Sequence, residues 1–427
     1  MAAKKPSVLI IGAGVFGVST AYHLSKQTEA EITLLDRAPF PPAPAASTDI
    51  NKIIRADYTS SFYADLAYEA IDDWKTWLKQ FYHPTGWVCL DEEGSVMADR
   101  IREVFKKKGH DPTTDVSLSD IENDDRWGGC LKGTDVSGFQ KAYWNPEAGW
   151  CEASHATAAV TTEAINNGVK YVVGEVERLI RDDDKVTGVA TKDGKTYTAD
   201  KIVLATGAWT SAIITGLEDE LGIDEDARVE KQAQATGVAV VHYKMSDKDM
   251  QKLTDMPVVV YGGNGEVIPP PKRNQLLKYT NADTFTHKIT TKSGQVISVP
   301  PDQDQTIVPE KLQRVTERLM PERVMPHFGK ARTADYWRIC WDARTPSQDW
   351  LLSKHPDSRL QNLFFAVGGS FHSYKFLPNV GRYMVNVLLG ISNGEERDKA
   401  WSWKGSNFTG RGAHEKTAPV GDLRDYQ

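Results

Sequence analysis

Two patterns of apolar and polar positions alternate along the chain. Short apolar runs rich in β-branched residues read as buried strands, and apolar recurrence every three to four residues reads as helix. The first run, Val8-Leu9-Ile10-Ile11, passes directly into Gly12-Ala13-Gly14-Val15-Phe16-Gly17, and a helical pattern follows through Ala21, Leu24 and Ser25. A second run, Ile32-Thr33-Leu34-Leu35, ends on Asp36. Residues 62–82 predict an amphipathic helix with Leu66, Ala70, Trp74 and Trp77 on one face. Residues 152–166 predict a helix with an alanine-rich face, 169–176 a strand with a glycine turn, and 201–209 a buried strand ending near Gly207. Asp193-Gly194 marks a hairpin between the last two. Residues 238–241, 256–261 and 275–280 read as strands, the last carrying Lys278 between apolar neighbours. On pattern alone that lysine belongs on an exposed polar face. A final strand, glycine turn, basic loop and helix run from 362 to 389.

The opening stretch carries chemistry. Gly12 permits a tight turn out of the strand, and Gly14 lets backbone approach a pyrophosphate. Gly17 lets the helix pack on the strand, and the helix N-terminus offers unpaired N–H groups to a phosphate. Asp36 follows Gly12 by 24 residues, where an acid can accept hydrogen bonds from a ribose hydroxyl. Glycines in this pattern also occur in ordinary turns. Strand, helix and terminal acid agree here, so dinucleotide binding is expected. An acid at that place argues against a 2′-phosphate, which leaves NAD and FAD open.

Composition narrows the class. The 427 residues suffice for two or three domains, and 40% hydrophobic with 26% charged content suits a globular chain. A net charge of −7 gives no reason to expect nucleic acid or an anionic membrane surface. No apolar stretch approaches a membrane span. The N-terminus leads straight into the first strand, so no signal peptide is expected. The four cysteines, 89, 130, 151 and 340, lack metal-ligand spacing and read as free thiols. A cytoplasmic protein is expected.

Two further segments stand out. A proline-rich loop over 39–44 delivers Ser47-Thr48-Asp49-Ile50-Asn51-Lys52-Ile53-Ile54-Arg55, whose small and polar residues suit a phosphate or a flat ring. Tyr336-Trp337-Arg338-Ile339-Cys340-Trp341-Asp342 places a thiol two residues from a guanidinium. A nearby cation favours thiolate, although a buried structural cysteine is the commoner case. The glycine turn at 368–369 enters a helix whose N-terminus suits an electron-rich group.

Together these segments resemble the sarcosine oxidase branch of FAD-dependent amine oxidases, which includes fructosyl amino acid oxidases (amadoriases), pipecolate oxidases and saccharopine oxidases. The resemblance runs from Val8 to about Leu389. It rests on the glycine fingerprint with Asp36, the 47–55 segment, Arg338-Ile339-Cys340-Trp341, and 368–381. It implies an α/β fold: a Rossmann-like, glutathione-reductase-like FAD-binding domain and a second α+β substrate domain with a mostly antiparallel sheet. The FAD domain is expected over 1–85, 150–215 and 335–395, the substrate domain over 86–149 and 216–334, and a tail over 396–427.

The resemblance also implies roles. Cys340 matches the cysteine joined covalently to flavin. Lys278 matches the lysine that promotes reaction with oxygen, and Lys52 matches a basic position beside the flavin. Arg55 and Lys375 match residues that hold the substrate carboxylate. Cofactor contacts are expected from Gly12, Gly14, Val15, Phe16, Gly17, Asp36, Arg37, Ser47, Lys52, Val176, Gly207, Cys340, Gly369, Phe371, His372, Ser373, Tyr374 and Lys375. The implied reaction oxidises the C–N bond of a secondary-amine amino acid and releases hydrogen peroxide. Its partners are a small amino acid and O2, with no nucleic acid, membrane or metal, and the protein is expected to be a monomer. A peroxisomal address occurs in the family, but the C-terminal Asp-Tyr-Gln is not of the Ser-Lys-Leu type.

The chain also departs from that pattern. Amadoriases carry an acid a few positions after the lysine matching Lys278, and it binds the sugar. Here Tyr279-Thr280-Asn281-Ala282 follows, with the nearest acid at Asp283. Ser370-Phe371-His372 also replaces the commoner Ser-Gly-His or Ser-Gly-Arg. A saccharopine-, pipecolate- or sarcosine-like substrate is therefore as well supported as a fructosyl amino acid. A flavin dehydrogenase or monooxygenase on the same scaffold, and a non-catalytic FAD-binding protein, are the alternatives.

Overall fold

A computed structural model describes residues 5–124, 126–405 and 418–427. The fingerprint lies at the centre of a six-stranded sheet. Its spatial order is Leu351–Lys354, Leu363–Val367, Lys201–Leu204, Ser7–Ile11, Glu31–Asp36, Lys170–Val173. All neighbours are parallel except Leu351–Lys354, which pairs antiparallel at the edge. The inner strands Ser7–Ile11 and Leu363–Val367 are buried and are accordingly continuous apolar runs, whereas the edge strand Lys170–Val173 is part-exposed. The helices Val15–Gln27, Ala153–Asn166 and Val380–Leu389 pack together beside this sheet. Small residues permit the approach: a Cβ on Gly381 would lie 2.0 Å from the Ser19 carbonyl oxygen. Gly381 therefore serves helix packing, whereas the turn before it, Gly368-Gly369, faces the cavity described below.

The second large sheet is mostly antiparallel. Its order runs Tyr336–Arg344, Gln234–Lys244, Leu276–Thr286, Gly265–Ile268, Val258–Tyr261, Trp87–Glu92, Phe139–Asn145, Thr114–Val116. Only Val258–Tyr261 against Trp87–Glu92 and the short Gly421–Asp422 against Leu276–Thr286 are parallel. The strand Tyr336–Arg344, grouped above with the nucleotide-binding segments, pairs along its whole length with Gln234–Lys244 in this sheet. A small sheet of Lys52–Ile54, Gly149–Cys151 and Tyr82–His83 holds the 47–55 segment.

Some boundaries differ from the periodicity. The helix predicted to 82 is Ser61–Lys75, because the chain must turn so that Tyr82–His83 can pair with Gly149–Cys151. The strand predicted over 169–176 splits at Gly174 and Glu175. Lys170–Val173 joins the parallel sheet, and Val176–Asp182 begins a three-stranded antiparallel sheet with Lys185–Thr191 and Thr196–Thr198. In the tail, Trp401 is buried against Phe62, Trp350 and Tyr383. Part of that tail lies outside the described residues.

Candidate active site

One cavity of about 780 Å³ runs between the C-terminal ends of the parallel strands and the face of the antiparallel sheet. Every site residue named above except Gly17 lines it. Gly17 stands behind the turn, where a Cβ would lie 1.8 Å from the Gly12 carbonyl oxygen.

The nucleotide end is made of backbone. Gly12 adopts φ +100°, and a Cβ there would lie 2.4 Å from the Ala205 carbonyl oxygen. Glycine alone meets both conditions. The Gly12 N–H donates to the Leu35 carbonyl at 2.8 Å, tying the turn to the second strand. Asp36 accepts the Ala13 and Ala38 N–H groups at 2.7 and 3.1 Å. Burial pushes its carboxyl up, and those bonds partly offset the push. A carboxylate with two accepted bonds retains lone pairs for a ribose hydroxyl. Gly14 caps the helix Val15–Gln27 without a side chain, and Ser47 reaches in from the following loop to accept the Val15 N–H at 2.8 Å. Arg37 lies 4.1 Å over the Trp209 ring. A glycine-only turn, an open helix terminus, a terminal acid and an elongated cavity fit FAD.

The turn at 368–371 closes the middle of the cavity. A Cβ on Gly369 would lie 2.5 Å from both carboxylate oxygens of Asp342. Asp342 accepts the Phe371 and Ala343 N–H groups, each at 2.8 Å. Ser370 and Phe371 both occupy the left-handed region, at φ +46° and +64°. Non-glycine residues pay about 1–3 kcal/mol there, which accounts for the commoner Ser-Gly form. In this chain the Asp342 bond holds the strained turn.

The far end is made of charged side chains. Lys375 donates to the Tyr58 hydroxyl at 2.9 Å and the His372 carbonyl at 2.6 Å. An ammonium can only donate, so the Tyr58 hydroxyl accepts from Lys375 and donates its own O–H to His372 Nδ1 at 3.0 Å. His372 Nε2 then donates to the Gln348 carbonyl at 2.8 Å. Arg55 lies 4.8 Å over the same Tyr58 ring and 5.0 Å over Trp87, and donates to the Asp57 carbonyl. Two cations from positions 320 residues apart thus flank one tyrosine. The Asp57 carboxylate accepts from the Tyr143 hydroxyl at 3.0 Å and Asn145 Nδ2 at 2.8 Å. Burial pushes this carboxyl up to about 6, although Arg55 and both bonds pull the other way.

Lys278 is a correction to the pattern. It is 1% exposed, not on a polar surface. Its strand has neighbours on both sides, so its side chains face either a core or this cavity. Lys278 Nζ donates to Asp49 Oδ2 at 2.7 Å and to the Asn51 carbonyl at 2.9 Å. Lys52 Nζ stands 3.0 Å from the same Asp49 oxygen and 3.8 Å from Cys340 Sγ. Burial lowers the proton affinity of Lys278, and Asp49 offsets part of that. Burial disfavours the Asp49 carboxylate, but Lys278 and Lys52 more than offset it and hold it well below the usual range.

Membership is decided by sequence once this geometry is in view. The model of the FAD dependent oxidoreductase family, DAO, matches residues 7–387. The chain belongs to this family. As an FAD-dependent oxidoreductase it is 26% identical to L-saccharopine oxidase of Schizosaccharomyces pombe, over 93% of each chain. It is 24% identical to monomeric sarcosine oxidase of a Bacillus species, over 90% of this chain and 92% of that one. The fold is similar to fructosamine oxidase (Amadoriase II) of Aspergillus fumigatus in complex with FSA. That likeness has a TM-score of 0.85 and 25% identity, and covers 100% of this chain and 97% of the other. No helix among the described residues of this FAD-dependent enzyme is long and apolar enough to cross a membrane.

Several site residues of this oxidoreductase carry no signal of their own in the sequence. Asp49, Asp57, Tyr58 and Asp342 act on neighbours that only the fold delivers. Glu266 is another: it lines the cavity opposite Thr280 on the neighbouring strand.

Proposed function

We propose that the protein is an oxidase of secondary-amine amino acids, N-alkylated or cyclic, that yields an imine and hydrogen peroxide. The observation that carries this reading is that Arg55, Lys375 and Lys278 line the same cavity as the glycine cradle. Arg55 and Lys375 would bind the substrate carboxylate by charge-assisted hydrogen bonds. That anchoring fixes the adjacent C–H bond, and the surrounding positive charge favours the neutral amine that the reaction needs. FAD held in this cavity would supply the redox chemistry, accepting a hydride from the substrate and passing two electrons, with two protons, to dioxygen to give hydrogen peroxide. Lys278 would stabilise the negative charge that develops on oxygen. The imine hydrolyses in water.

In this reading Cys340 holds the flavin covalently. Its support is a thiol facing the cavity with Lys52 beside it. Flavin fluorescence that stays with the denatured chain on a gel, and is lost in Cys340→Ser, is the expected result. We also take the two large sheets as the cores of two domains, FAD-binding and substrate-binding, in a monomeric cytoplasmic protein.

Saccharopine-, pipecolate- and sarcosine-type amines are as well supported as fructosyl amino acids, because Tyr279-Thr280-Asn281-Ala282 supplies no acid directly after Lys278. A peroxide assay with sarcosine, pipecolate, saccharopine, a fructosyl amino acid, proline and primary amino acids tests this. Peroxide from a secondary amine and none from the primary acids is expected. Flavin that bleaches without peroxide would instead indicate a dehydrogenase.

A further inference from the structure

We propose that Asp49 is a positioning residue that keeps Lys278 charged and aimed, and so sets the rate at which the reduced enzyme reacts with oxygen. The inference rests on the oxidase reading above and adds to it a residue outside the substrate and cofactor contacts.

The geometry is that of one carboxylate serving two lysines. Asp49 Oδ2 lies 2.7 Å from Lys278 Nζ and 3.0 Å from Lys52 Nζ. Asp49 Oδ1 accepts the Ile50 N–H at 2.7 Å, and its carbonyl accepts the Ser154 N–H at 3.0 Å and the Ser154 hydroxyl at 2.7 Å. The carboxylate is therefore fixed before the lysines meet it. Lys278 takes its second acceptor, the Asn51 carbonyl, from the same short segment. An ammonium has three N–H groups, and these two contacts leave one to face the cavity that Lys278 lines.

The charges around Lys278 make Asp49 the deciding one. His242 stands opposite it on the neighbouring strand, 3.9 Å from Asp49 Oδ1 and stacked on Tyr336. Burial lowers the proton affinity of that imidazole, so it adds no charge at neutral pH. Arg338, beyond it, donates to the carbonyls of Ala43, Ala45 and Thr48. On the other side Glu266 faces Lys278 diagonally across the sheet, and Cys151 lies beneath with its thiol pushed up by burial. Two lysines and Asp49 carry a net charge of +1, and Glu266 acts on Lys278 more weakly than Asp49. With Asp49 neutral, two ammonium groups would sit together in a dry site. A buried lysine in that position gives up its proton.

The test uses FAD-loaded full-length protein, reduced with dithionite and mixed with aerated buffer from pH 6 to 9, so no substrate is needed. Wild type, Asp49→Asn, Asp49→Glu, Lys52→Met and Lys278→Met are compared. Asp49→Asn is expected to keep its flavin absorbance, to reoxidise at least tenfold more slowly at pH 8, and to recover as pH falls, because acid restores the ammonium. Asp49→Glu should stay within a few-fold of wild type. Lys52→Met should move the limb the other way, to higher pH, since Lys278 then has the carboxylate to itself. Wild-type reoxidation in Asp49→Asn alongside a slow Lys278→Met overturns the proposal, and so does a slow rate without pH dependence or loss of FAD. If Asp49→Asn does not fold, an unmoved limb in Lys52→Met overturns it alone. A Lys278→Met protein that reoxidises normally overturns this proposal by removing the oxygen role of Lys278, whereas the oxidase reading fails separately, if substrate bleaches the flavin and no peroxide appears.

Discussion

The two ends of the cavity are built on opposite principles. At the nucleotide end, backbone meets backbone: Gly12, Gly14, the first turn of Val15–Gln27 and Asp36 lie within one strand–helix–strand unit. At the reacting end, side chains meet across the whole chain: Lys278 finds Asp49 across 229 residues, and Lys375 finds Tyr58 across 317. The first arrangement tolerates almost no substitution but depends on few distant contacts. The second depends on buried charges that must be paired to be tolerated at all. In the proposed function, recognition of the nucleotide is thus a matter of space, and chemistry at the other end is a matter of field.

Substitutions can sharpen that contrast. The largest effect is expected at the cradle. Gly17→Val puts a branched side chain against the Gly12 carbonyl, 1.8 Å from the first new carbon. Purified protein should lose its yellow colour, with a stability loss of about 4 kcal/mol or more in denaturant titration. Colour retained at the wild-type level would break the idea of a space-limited end.

Next comes the charge of Lys278, to which the proposed function gives the reaction with oxygen. Lys278→Met should slow flavin reoxidation about 100- to 1000-fold, the scale of losing one preorganised charge. Reduction by substrate should change only a few-fold. Equal losses in both half-reactions, read by stopped-flow absorbance, would mean that Lys278 has no separate role toward oxygen.

The proposed substrate anchors, Arg55 and Lys375, follow. Arg55→Met and Lys375→Met each remove a charge-assisted contact of about 1.5–3 kcal/mol. The substrate concentration for half-maximal flavin reduction should rise about 10- to 100-fold. Because both cations flank Tyr58, the double variant should lose less than the sum of the two.

The smallest effect is a pH dependence. Asp57, with its carboxyl near pH 6 through burial, neutralises part of Arg55 when ionised. Below about pH 6 it gains a proton and no longer offsets the charge of Arg55, which then attracts an external carboxylate more strongly. Binding of acetate, followed by perturbation of the flavin spectrum, should tighten a few-fold from pH 7 to pH 5. Asp57→Asn should flatten that profile.

Much of this was legible in the residues. The fingerprint, the acid at the second strand and the glycine-turn-to-helix segment are local patterns, and the fold carries them as expected. Gly369 is a half-way case. Its presence could be read, but its reason, the Asp342 carboxylate packed 2.5 Å from where a Cβ would be, could not. Phe371 could be noticed as unusual, and only its φ of +64° explains why glycine is commoner there.

The sequence by itself determined the strand–glycine–helix–acid cradle, because its strand, turn, helix and acid are close in the chain, although the Ala205 carbonyl and Ser47 complete it from further away. Lys278 marks the limit. Its strand pattern argued for exposure, and the tertiary structure buried it. Neighbouring strands on both sides closed off solvent, and Asp49 arrived from a distant loop to pair its charge. Pattern reports which side chains avoid water. Only the fold decides which buried charges meet, because pairing depends on distances between segments that no local period encodes.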